Sequence, residues 1–100
     1  MPTLYEYLGI KILFYSDEHE PIHVHGQYNG AECRAEIILK EGVIENIVFK
    51  HIKNRKHLPP AQRNEFEEFV RAYASQIVQK WVDFFVLQKK ISPHIITKRI

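Results

Sequence analysis

One hundred residues, 45% apolar and 26% charged, match the size and composition of one soluble globular domain, large enough to bury a core without metals or disulfides. A single cysteine, Cys33, excludes an internal disulfide, and no apolar run approaches the roughly 20 residues of a membrane helix. The net charge of +2 hides an asymmetry, because residues 1–49 hold three basic and eight acidic groups whereas residues 50–100 hold eleven basic and four acidic ones; such a basic half suits nucleic acid or an acidic partner. Residues 1–9 lack the charged start and apolar stretch of a signal peptide, so the expected compartment is the cytoplasm, with no membrane partner.

The pattern is strand-like up to about residue 58 and helical after it. Ile10, Ile12 and Phe14 alternate with Lys11, Leu13 and Tyr15 to predict a first strand, and a loop follows over residues 16–22. Residues 23–28 and 31–39 flank Asn29-Gly30, a dipeptide that accepts positive φ at both positions and therefore predicts a hairpin. Lys40-Glu41-Gly42 marks a second turn, and the β-branched run 43–49 extends the meander to a fourth strand. Beyond Leu58-Pro59-Pro60, the residues Phe66, Phe69, Val70, Tyr73, Ile77, Val78, Trp81, Phe84 and Phe85 fall on one helical face. The stripe stays in phase through Ala74-Ser75, predicting one long helix with room for a kink there. Residues 89–100 carry Lys89, Lys90, Lys98 and Arg99 without an acid, and predict either an arm or an extended segment pinned by Ile91, Ile95, Ile96 and Ile100. The expected architecture is α+β: a three- or four-stranded antiparallel sheet, built as a hairpin meander, packed on one long C-terminal helix. Residues 1–88 form the domain and residues 89–100 a basic tail.

A two-residue turn at Asn29-Gly30 sets the register and sorts side chains by face. Val24, Gly26, Tyr28, Ala31, Cys33, Ala35 and Ile37 share a core face, which makes Cys33 a buried, inert thiol rather than a nucleophile. His23, His25, Gln27, Glu32, Arg34 and Glu36 share the other, with His23 opposite Glu36 and His25 opposite Arg34, close enough for an imidazole at 23 to bond Glu36. Three readings of this cluster stand side by side. His23 and His25 act as general acid and base, Glu36 orients a ring and Arg34 holds a phosphate, a set suited to metal-free RNA cleavage. Alternatively His19, His23 and His25, with Glu18 or Asp17, hold a divalent metal such as zinc. In the third reading the face is solvated and structural, or contacts a protein. Lys50, Lys53, Arg55 and Lys56 make the densest basic patch and are candidates for phosphate contact or plain solvation. No Gly-rich phosphate loop, Cys-x-x-Cys or G-x-S-x-G is present.

The run Gly9-Ile10-Lys11-Ile12, followed by residues 17–25 (Asp-Glu-His-Glu-Pro-Ile-His-Val-His), resembles the signature of the domain-of-unknown-function 4160 family, roughly E-H-x-P-P-H-x-H after a short strand. The likeness extends over about residues 1–87 and includes residues 76–81 (Gln-Ile-Val-Gln-Lys-Trp). It implies that Glu18, His19, Pro21, His23 and His25 are motif positions, with Ile22 replacing the usual second proline. It also implies a small partner of the domain-of-unknown-function 2442 type, in an arrangement similar to toxin-antitoxin pairs, with this chain as the toxin-like member. The functional expectation is therefore a toxin-like subunit that binds an antitoxin-like protein and acts on RNA through its histidines, a ribonuclease-like activity. The alternative is a non-catalytic module binding protein or nucleic acid, with or without a metal.

Overall fold

The computed structural model describes residues 3–15 and 21–100. In chain order they form β1 (Thr3–Tyr7), β2 (Ile10–Leu13), β3 (His23–Tyr28), β4 (Ala31–Lys40), β5 (Val43–His51), α1 (Pro60–Trp81), a π-helical turn (Val82–Val86) and β6 (His94–Ile96). The strands make one sheet in the order β5-β4-β3-β2-β1-β6, antiparallel except for the parallel pair β1–β6.

The α+β architecture and the long helix match expectation, but the sheet is six-stranded and mixed rather than three- or four-stranded and antiparallel. Both added strands lie at one edge. β1 pairs with β2 through a tight turn in which Leu8 and Gly9 take φ of 50° and 84°, and Leu8 is not a residue that advertises such a turn. β6 comes from the basic tail, the extended alternative for that segment. Its parallel pairing with β1 arrives from across the helix, so no local turn signals it. Arg99 Nη2 reaches Glu65 Oε2 at 2.8 Å, and the Ile100 N–H donates to the Tyr7 hydroxyl at 3.2 Å.

Helix α1 is continuous through Ala74-Ser75 and opens at Pro60, where the missing N–H costs nothing. It buries Phe66, Phe69, Val70, Ala74, Ile77 and Trp81 against one face of the sheet. Phe69 stands 5.0 Å from Tyr5 and 4.8 Å from Tyr7, ring to ring. Phe66 lies on Gly26, where a Cβ would meet its ring at 2.6 Å, so the glycine is required by the close approach of helix and strand. The π-helical turn re-phases the stripe and lets Phe85 pack 4.2 Å from Trp81 and 5.5 Å from Phe14. A buried Phe contributes about 1.5–3 kcal/mol, so this aromatic stripe is the core.

Candidate functional site

The β3–β4 register is the one that the Asn29-Gly30 turn predicts, with His23 opposite Glu36, His25 opposite Arg34 and Gln27 opposite Glu32. These side chains alternate along the strands with Gly26, which faces Phe66 of α1, and with Val24, Cys33 and Ala35. The solvated version of this face is corrected: His23, His25, Glu32 and Glu36 are only 3–8% exposed. Neighbouring rings are Tyr15, which meets His25 edge-on at 4.4 Å, and Trp81 at the C-terminal end of α1, 5.4 Å from His23. A polar face closed in this way is stable only if its groups find partners.

Glu32 is the hub. Both its carboxylate oxygens accept from the Tyr15 hydroxyl at 3.0 Å, Oε1 also accepts from Gln27 Nε2 at 3.0 Å, and Oε2 lies 3.0 Å from His25 Nδ1. Gln27 Nε2 also donates to Tyr15. His23 Nδ1 lies 2.6 Å from the Pro21 carbonyl, which can only accept, so His23 carries a proton on Nδ1. The two imidazoles sit 5.3 Å apart. Beside them Glu36 is gripped by Arg34 Nη2 at 2.8 Å and Lys50 Nζ at 3.0 Å.

Burial is the leading influence on the ring charges. It lowers His23, against the pull of its bond to Pro21 and the charge of Glu36, and it lowers His25 despite the Glu32 carboxylate at its side. Both rings are therefore neutral near pH 7, and a neutral ring with its proton on Nδ1 carries its lone pair on Nε2. Burial also raises the Tyr15 phenol, with Glu32 acting in the same direction. For Glu36 burial works against ionisation, but Lys50 and Arg34 outweigh it and hold the carboxyl below its ordinary range.

His23, His25, Arg34, Glu36 and Lys50 thus come together on one wall. Glu36, expected to orient a ring, has Arg34 and Lys50 as cationic partners, and among the described residues the carboxylate bonded to an imidazole is Glu32. Glu18 and His19 lie outside the described residues, and with them one of the three proposed metal ligands. Among the described residues no group of three His, Cys, Asp or Glu side chains is placed to hold a metal ion. Lys53, Arg55 and Lys56 are exposed in the loop after β5, apart from Lys50. That loop is tied to β4 by the Glu32 N–H, which donates to the Lys56 carbonyl at 3.1 Å. Cys33 is buried, and burial pushes its thiol up.

Sequence reasoning missed Tyr15, Gln27 and Glu32 as members of the site. Gln27 and Glu32 were legible as a cross-strand pair one step from His25 on the same face. Tyr15 was not, because it follows the end of β2 and its placement depends on the turn of the chain after Phe14. A family model described as a domain of unknown function (DUF4160) matches residues 9–82. No curated protein and no solved structure matches the chain.

Proposed function

The chain belongs to the DUF4160 family, and from that premise we propose that it is the toxin-like subunit of a two-protein module, binding a small antitoxin-like partner of the domain-of-unknown-function 2442 type and acting on RNA through its histidine wall. The observation that supports this reading is the double tether: His25 Nδ1 on Glu32 and His23 Nδ1 on the Pro21 carbonyl. A neutral imidazole held by a carboxylate is the arrangement of a general base, since the carboxylate fixes the tautomer and stabilises the imidazolium as it forms. In this reading His25 takes the proton of a ribose 2′-hydroxyl as that oxygen attacks the adjacent phosphorus. His23, neutral in the free protein because burial outweighs the pull of Glu36, must take up a proton with the incoming phosphate before it can give one to the departing 5′-oxygen. Arg34 and Lys50 line the approach for phosphate. Both rings are buried, so the reading requires the Tyr15 side of the site to yield to the substrate while Trp81 stays in the core.

The same tethers favour a second reading. Metal-binding histidines ordinarily donate their other ring N–H to a carboxylate or carbonyl, and His23 and His25 do both. Zinc content of protein purified without a histidine tag tests it: a stoichiometric ion lost in the His23→Asn, His25→Gln variant is expected if the rings are ligands.

The principal test is bacterial growth after induced expression of the wild type and of that double variant, with soluble levels and circular dichroism checked. Growth arrest by the wild type but not by the folded variant, accompanied by RNA fragmentation, is the expected result. Absence of arrest with either protein overturns the toxin reading. Arrest that survives loss of both histidines but not neutralisation of Lys53, Arg55 and Lys56 assigns the chain to the non-catalytic binding class.

A further inference from the structure

The predicted basic patch divides in two, and the division points to a second site. Lys50 is compensated by Glu36, together with Arg34. Arg55 instead lines a cavity of about 290 Å³ beside the Asn29-Gly30 turn, where it is joined by Lys11 of β2, Gln27 and Tyr28 of β3 and Glu32 of β4. Neither Lys11 nor Arg55 forms an ion pair among the described residues. Glu6, the cross-strand neighbour of Lys11, lines the adjoining cavity on the β6 side, which Lys11 also borders, without forming an ion pair with it. Glu32 is not aimed at these cations either, because its carboxylate is already bonded to Tyr15, Gln27 and His25.

Two cations that line one cavity and form no ion pair among the described residues favour an anion, and a phosphate suits a guanidinium that offers paired donors beside a point-charge ammonium. Half-buried Tyr28 supplies an aromatic surface in the same cavity, of the type on which a base stacks. The volume falls just below the roughly 300–1,000 Å³ of small-molecule sites, which suits one nucleotide and not several. Gln27 and Glu32 form a common wall, so an occupant rests against the residues that hold His25.

We propose that the cavity between Lys11, Arg55 and Tyr28 is a phosphate-binding subsite that takes a single nucleotide. The proposal deepens the RNA-directed reading and rests on it for the source of the nucleotide, though the binding itself can be tested alone. Calorimetric titrations of the full chain with inorganic phosphate, adenosine monophosphate, adenosine and a short RNA provide the test. Saturable binding of the monophosphate but not of adenosine is expected. The Lys11→Ala, Arg55→Ala variant should bind at least about tenfold more weakly, as expected for two charge-assisted contacts, whereas Lys53→Ala, Lys56→Ala should change affinity less than about threefold.

Equal losses in both variants would reduce the effect to general electrostatic attraction and overturn the subsite, as would a failure of every phosphate-bearing probe to saturate. Tighter binding of the RNA than of the monophosphate identifies a strand as the source, and the reverse identifies a free nucleotide; both support the subsite. If growth arrest fails while nucleotide binding and its dependence on Lys11 and Arg55 persist, the toxin reading falls and the subsite stands.

Discussion

The two faces of the sheet are closed by opposite chemistry. On the helix face Phe66, Phe69, Val70, Ile77 and Trp81 lie over Tyr5, Tyr7, Ile12, Val24 and Ala35, and nearly every contact is apolar. On the other, at the centre of the sheet, two imidazoles and two carboxylates are almost equally buried. The first face depends on how well its side chains fill the volume. The second depends on particular donors meeting particular acceptors, because an unpaired buried polar group costs about 1–3 kcal/mol. Stability therefore resides mainly on one side, and the hydrogen-bond network on the side that is harder to keep closed.

The comparison is broken most severely on the helix face. Phe66→Ala removes a buried ring that touches both Gly26 and Phe49 and should cost about 3–5 kcal/mol in denaturant unfolding. Gly26→Ala forces a methyl into the same ring and should cost about 1–3 kcal/mol. Combining it with Phe66→Leu should recover part of that loss, since the two sites couple directly.

Glu32→Gln is the corresponding blow to the other face. It keeps the shape but removes the charge and turns one of the two acceptor oxygens shared by Tyr15, Gln27 and His25 into a donor, and a loss of about 1–3 kcal/mol is expected with the helix-face packing unchanged by near-ultraviolet circular dichroism. A smaller loss than that of Gly26→Ala would confirm that the apolar face dominates.

Acidity sharpens the contrast further. His23 and His25 are held below the ordinary imidazole value of 6.5 by burial, so below that pH the unfolded chain binds more protons than the folded one. Stability should be fully present above about pH 6.5 and fall progressively as the solution is acidified through the folded values. Thermal melts of His23→Asn, His25→Gln should lose most of this slope, leaving the loss from Glu36 that sets in below the ordinary carboxylate range. The smallest effect belongs to the sheet edge: Arg99→Ala breaks an exposed pair with Glu65 and should cost less than about 1 kcal/mol.

The elements that could be read along the chain are those whose signals are local. Asn29-Gly30 fixes the turn, and with it the β3–β4 register that sets His23, His25, Arg34 and Glu36 on one face, because side chains alternate with period two. The stripe from Phe66 to Trp81 likewise states its helix through spacing alone. β6 has no such signature, since its partner β1 lies some ninety residues away and pairs with it in parallel. Tertiary structure alone decided that the polar face would be buried, that Glu32 and not Glu36 would take an imidazole, and that Arg55 would join Lys11 at one cavity while Lys50 was compensated elsewhere. Alternation assigns a side chain to a face, but which partner it reaches there, and what closes over it, depend on segments that only the folded chain brings together.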